Sequence, residues 1–515
     1  MRWKRAALPI GAAVVIAAIA ACGGPHRTPG TIQVDIENSP TSTDPRFATD
    51  AISSRVNELI FGSLARTDRN GQLSPELADS IERPAPTQIV FHLRHGVRFS
   101  DGREVTARDV KFTFDSMLQA QAASPKRAKF QKLRSVEAPD DFTVIMSTDT
   151  QYAPAGDFAS QEIVPAGTPA PSGEVGPAPP GAGPYRMASF ARDESIALER
   201  NPYYHASPDS PVEIVFKIVP DPTVQALELA EGVCDLSENY VSPEVLGYLA
   251  SNPNLSVLNS PGTTFQYLAF NFRDTRLRDL RVRRAIAYAI DRRAIIDWML
   301  RDTARPATGL LAPENWAYDG NVATYSYDPD RSRRLLDDAG YLAGIGGMRP
   351  LRFVYKTTPE GTRLAQAIQA MLKKVGVEVD IRASEWATFY ADIQNGNFDL
   401  MSSRWIGIAD PDQFQVFDSS KIPPHGENRG AYSNPQMDHL VEAGAITLDQ
   451  VERKKIYAQV QQLAADDLPY VPLWWNNTVV VMNRELSGFT PYPNGSLRSL
   501  ATLKLAISGP ADAAQ

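Results

Sequence analysis

Two cysteines in 515 residues, Cys22 and Cys234, leave this chain almost without cross-linking chemistry. With one of them committed elsewhere, no intramolecular disulfide forms and packing alone holds the fold. Histidine is scarce as well. Of six, only His92 and His95 are close in sequence, and a spacing of three puts them on opposite faces of a strand, a poor metal-ligand geometry. No glycine is followed by lysine, which excludes a phosphate-cradling P-loop, and neither H-E-x-x-H nor G-x-S-x-G occurs. Beyond residue 21 there is no apolar run of about 20 residues, the length a membrane-spanning helix needs. Nothing assembles a nucleophile, a base and an oxyanion hole. The residues point away from an enzyme, and no metal or cofactor is expected.

What the chain does have begins at its start. Arg2, Lys4 and Arg5 precede an apolar run from Ala6 to Ala21 that contains Pro9 and ends in Ile19-Ala20-Ala21-Cys22. This is the pattern of a bacterial lipoprotein export signal. Residues 1–21 are expected to be removed, Cys22 to carry lipid, and the remainder to work outside the cytoplasm, anchored to a membrane. Cys234 then stands alone, and burial in packing is its plainest role. Removing three basic residues takes the 52 lysines and arginines to 49 against 60 acidic residues, so the formal charge moves from -8 to -11. That sign argues against nucleic acid as a partner. At roughly 150 residues per domain, the rest of the chain makes about three domains.

Periodicity organises that length. Ile32, Val34 and Ile36 alternate through a strand from Thr31 to Glu37, followed by the turn-rich stretch Asn38 to Asp50. Ile52 to Leu64 has helical spacing, Val90 to Arg94 reads as a strand, and Thr106 with Asp109 forms a capping box for a helix to Gln119. Pro165 to Pro184 is dense in Pro, Gly and Ala, as a joint between lobes would be. Strands at Glu213 to Val219 and Thr264 to Phe272 bracket a helix opened by Asp221-Pro222 and closed near Gly232. Asp279 to Leu300 carries Val282, Ile286 and Ile290 on one face of a single long helix. From 351 to 405 the order is strand, helix, strand, helix, strand, with Ser384 as the cap of the second helix. Short joints between these elements indicate an α/β fold with a parallel sheet covered on both faces. Ligands in such sheets sit beyond the carboxyl ends of the strands, here the loop Ile406 to Phe414 beside Trp405.

Several segments resemble the family 5 extracellular solute-binding proteins that feed oligopeptide, dipeptide and nickel ABC importers. The most distinctive is Phe91-His92-Leu93-Arg94-His95-Gly96-Val97-Arg98-Phe99-Ser100-Asp101-Gly102, with Val105-Thr106-Ala107-Arg108-Asp109-Val110 after it. Gly183-Pro184-Tyr185, Asn201-Pro202-Tyr203-Tyr204, Val282-Arg283-Arg284-Ala285, Tyr327-Asp328-Pro329 and Leu468-Pro469-Tyr470-Val471-Pro472-Leu473 follow in order. The resemblance implies a periplasmic-binding-protein-like α/β fold: two lobes closing on a ligand and an extra lobe packed on the first. It maps lobe I to 22–50, 180–265 and 485–515, the extra lobe to 51–179, and lobe II to 266–484.

In peptide-binding members of that family an aspartate shortly after the tryptophan pairs with the ligand's amino group, since a buried ammonium needs a counter-charge. This chain has Ile408 where that aspartate is expected. Either Asp410 takes over by a backbone shift, or no amino terminus is recognised. The plain alternative for Asp410-Pro411-Asp412 is a turn with a carboxylate capping a backbone amide. Trp405 would wall the pocket, with Arg404 turned to the other face by strand alternation. Weaker candidates are Thr49 and Asp50 after the first strand, Asn271 at a crossing between lobes, and Lys356 at a strand end, with His425 a remote candidate for a chelated metal. The implied function is capture of a peptide or similar solute for an ABC permease by a lipid-anchored monomer. A non-peptide solute, a sensor without transport and, least of all, an exported hydrolase are the alternatives.

Overall fold

The computed structural model describes residues 30–505 except 70–71, 120–123, 155–157, 172–174, 206 and 407–409. The expected export signal, Cys22 and Ile408 lie outside these. One mixed sheet organises most of the chain. Its strands run in the order Glu378–Ala383, Arg352–Thr357, Leu400–Trp405, Leu255–Phe270, Tyr470–Asn483, Leu236–Glu238, Thr31–Ile36, Glu213–Ile218, Ser195–Arg200, Tyr185–Ala191. The long antiparallel pair in the middle, Leu255–Phe270 with Tyr470–Asn483, belongs to both halves and joins them.

Each half has its own core. In lobe I, Ile32, Val34 and Ile36 point to the same side as Ile214 and Phe216 on the parallel neighbour strand, and all are buried. In lobe II, Arg352–Thr357 pairs in parallel with Glu378–Ala383 and Leu400–Trp405, as the strand–helix alternation predicts. Phe353, Tyr355 and Leu400 there meet Leu364, Ile368 and Leu372 of the helix Thr362–Lys373. The extra lobe holds a separate antiparallel sheet, Ala78–Ala85, Gln88–Leu93, Thr143–Thr148 and Leu133–Glu137 in spatial order, packed on the helix Ala107–Leu118. That helix starts where the capping box predicts: the Thr106 backbone N–H donates to Asp109 at 2.8 Å. Likewise Asp221 caps Pro222–Glu231, and Gly232 ends it at φ 73°.

Three expectations need correction. The helix Ala51–Ile60 buries Ile52, Val56, Leu59 and Ile60 in the lobe I core, so the extra lobe's core begins after Phe61, not at residue 51. The single helix expected over 279–300 is broken into Leu280–Ala289, Arg292–Ile295 and a wider π-wound turn, Ile296–Leu300. Ile290 is extended, and Asp291 accepts from the Ala294 N–H to cap a new start. The cap expected at Ser384 falls on Glu385, ahead of Trp386–Gln394.

Candidate binding cleft

A cavity of about 1200 Å³ lies between lobe II on one side and lobe I with the extra lobe on the other. Trp405, the last residue of its strand, forms part of the lobe II wall. Its ring lies nearly parallel to Tyr267 on the neighbouring strand, with centroids 6.4 Å apart, and the Arg429 guanidinium sits 5.1 Å over it. Glu427 holds that guanidinium at 2.6 Å, and Tyr390 flanks it. The wall is thus an aromatic face stiffened by a neutralised cation. Arg404, exposed and on the alternate face, is not among the lining residues.

Asp410 also lines the cavity, but its charge is spent. Both terminal guanidinium nitrogens of Arg453 donate to it, at 2.7 and 2.8 Å, and the Asp412 N–H donates at 2.9 Å. Burial alone would ease the proton off Arg453; Asp410 outweighs that and keeps the guanidinium charged. Asp412 accepts from the Phe414 N–H at 3.0 Å, a turn-capping role. Asp410 therefore stands in the cleft as half of an ion pair, not as the free counter-charge the sequence allowed.

The facing wall carries Glu58, Arg66, Glu162, Ser496 and Arg498. Burial pushes the Glu58 carboxyl up despite Arg66 nearby and a hydrogen bond from the Ser496 hydroxyl. Arg66 itself is tied to Glu76 and to the Phe61 carbonyl.

The remaining candidates lie elsewhere, each for a visible reason. Asp50 caps Ala51–Ile60, accepting from the Ser53 N–H at 2.8 Å, and hydrogen bonds from Ser53 and Thr41 outweigh its burial and hold its pKa down. Neither it nor Thr49 reaches the cavity lining. Asn271 donates to the carbonyls of Gly396 and Phe398 at 2.9 and 2.7 Å, beside a separate shallow pocket. Lys356 pairs with Asp392 at 2.7 Å. These three side chains build structure rather than line the cleft. His425 does line it, yet among the described residues no group of three metal-ligating side chains comes together. Cys234 is buried, its thiol pushed well up by burial. Sequence reasoning missed Tyr390, Phe414, Glu427 with Arg429, and Arg453. Of these, only the aromatic residues near Trp405 carried a signal.

Residues 72–422 match the family described as bacterial extracellular solute-binding proteins, family 5. The chain belongs to that family. Oligopeptide-binding protein AppA of Bacillus subtilis is 26% identical over 500 residues, covering 92% of this chain and 91% of that protein. Its structure with a nonapeptide superposes with a TM-score of 0.79, over 92% and 99% of the two chains. Heme-binding protein A of Haemophilus influenzae is 28% identical over 477 residues, 85% of each chain. NikZ from Campylobacter jejuni, solved with Ni(L-His), is 25% identical with a TM-score of 0.80, over 92% and 99%. This family 5 protein is accordingly an ABC-transporter solute-binding protein with the periplasmic-binding-protein fold, of an extracytoplasmic family.

Proposed function

We propose that this family 5 protein captures extended peptides between its lobes and delivers them to an ABC permease as a lipid-anchored monomer. The observation that carries the reading is the cleft itself. At about 1200 Å³ it exceeds the roughly 300–1,000 Å³ of sites for compact ligands. Its aromatic wall and internally paired charges suit a ligand held by shape and backbone contacts rather than by one fixed side chain. Relatives named for oligopeptides and dipeptides support this choice. Lobe closure supplies the mechanism: the closed form touches more ligand surface, so ligand shifts the population toward it. Cys22 is the proposed lipid attachment point, checked by the mass of the membrane-extracted protein with and without Cys22→Ala.

One observation favours a second reading. Asp410 is already neutralised by Arg453, so a ligand without a free ammonium, such as a non-peptide chelate, meets no unpaired carboxylate there. Native mass spectrometry of the form starting at Gly23, purified from rich medium and then denatured, decides between them. A ladder of peptide masses supports peptide capture; a single non-peptide mass supports the alternative.

A further inference from the structure

Next to Thr150 and Tyr152, which line the cleft, the extra lobe contacts lobe II. The Ala153 N–H donates to the Ala445 carbonyl at 2.8 Å, and the Gln151 side-chain amide donates to the Ile446 carbonyl. Those acceptors are the last two carbonyls of the helix Pro435–Ile446. A helix leaves its final four carbonyls without intrahelical donors. Here each of the four has an identified partner. Thr447 serves Ala443, Arg453 Nε serves Gly444 at 2.9 Å, and the extra lobe serves Ala445 and Ile446.

Both sides of this contact are braced by an arginine, half-buried on one side and buried on the other. On the donor side, Arg83 donates to the carbonyls of Tyr152 and Ala153 at 3.2 and 3.4 Å, which fixes the segment presenting the Ala153 N–H. On the acceptor side, Arg453, with 6% of its side chain exposed, holds Gly444 through Nε and Asp410 through its two terminal nitrogens. Asp410 faces the cleft. The Arg453 side chain therefore links a residue that lines the cavity, Asp410, to the helix end that the extra lobe grips.

We propose that residues 151–153 and the carbonyl end of Pro435–Ile446 form a latch that sets the closed population, with Arg453 relaying the state of the cleft at Asp410 to it. The inference rests on the solute-capture reading and deepens it by naming how closure is held. Opening exchanges two interlobe hydrogen bonds for bonds to water, so losing both shifts the closed-to-open ratio roughly tenfold. Coupling through Arg453 is reciprocal: whatever the ligand does to the latch, the latch does to ligand affinity.

The test is a distance measurement between spin labels at Arg134→Cys and Glu442→Cys, exposed positions on the extra lobe and lobe II, in protein starting at Gly23. Cys234 is buried and stays unlabelled. Each protein is measured as purified from rich medium and again after stripping in guanidinium and refolding. Wild type is expected to show a short distance when loaded and a mixture when stripped. Gln151→Ala and, separately, Ala153→Pro each move the stripped mixture toward the long distance by several-fold with an unchanged melting temperature. Arg453→Lys, which keeps the cation but cannot serve Gly444 and both Asp410 oxygens at once, reduces the difference between loaded and stripped protein. Wild type that changes distance on stripping, with Gln151→Ala and Ala153→Pro behaving identically to it, overturns the latch alone. A wild type with one unchanging distance overturns lobe closure, and the solute-capture mechanism with it.

Discussion

Glu238 ends the strand Leu236–Glu238 with 3% of its surface exposed and its Oε2 without a hydrogen-bond partner. Burial raises its pKa from 4.5 to about 8, which Arg55 offsets only in part and Glu58 reinforces. In the folded protein this carboxyl keeps its proton through the range in which the unfolded chain releases it. Stability from this group is therefore fully present below pH 4.5 and lost progressively as pH rises toward about 8. Glu238→Gln, neutral at every pH, is expected to flatten the fall in melting temperature between pH 5 and 8. A variant whose pH profile parallels wild type would show that Glu238 is ionised in the fold. None of this was legible in the sequence, where a single glutamate two residues before Tyr240 carries no pattern. Trp405 was legible, because strand alternation assigns it a side and the strand end assigns it a place. The commitment of Asp410 was not: Arg453 lies 43 residues downstream, and only the packing of Gln450–Asp467 brings the two together.

Elements whose ends are written in local chemistry came through well. The capping box at Thr106, the Asp221-Pro222 start and the Gly232 stop each act within one turn, so sequence alone places them. The break at Ile290-Asp291 was hidden because apolar spacing continues across it, while the cap that restarts the helix is one aspartate among many. The membership of Ala51–Ile60 in lobe I was hidden for a different reason: it depends on a glycine pair more than 100 residues away. The Gly183 N–H donates to the Ile60 carbonyl at 2.8 Å, and a Cβ on Gly181 would sit 2.0 Å from that same oxygen. The helix end and the segment leading into Tyr185–Ala191 touch backbone to backbone, and no side chain fits between them. Gly181→Ala must push the two apart, at a cost of about 1–3 kcal/mol or more. Its melting temperature is expected to fall by several degrees, measured beside Gly176→Ala, where a Cβ meets open space and no change is expected.

At the scale of the molecule, the two lobes share one sheet through Leu255–Phe270 and Tyr470–Asn483, and the register between them shifts between Ser260 and Thr264. Gly262 lies in that shift, where a Cβ would come within 2.4 Å of the Asn476 carbonyl. An irregularity of this kind locally bends the strand pair and increases its twist. A second interlobe tie, the Glu244–Arg363 ion pair at 2.6 Å, lies among exposed side chains, 39% and 56% accessible. Ser242 and Arg363 hydrogen bonds hold Glu244 down to about 2, so this pair stays charged over all physiological pH. Exposure still limits it to about 0–1 kcal/mol, and salt screens it. Compactness in solution should therefore follow ligand and not this pair. For a chain of this length the radius of gyration is about 23 Å when closed. Small-angle scattering is expected to show expansion on stripping, with loaded Glu244→Ala superposing on loaded wild type at 0.15 M salt. A loaded Glu244→Ala protein that expands would assign closure to this ion pair, and would remove the reason for looking to the backbone contacts of residues 151–153 with the end of Pro435–Ile446.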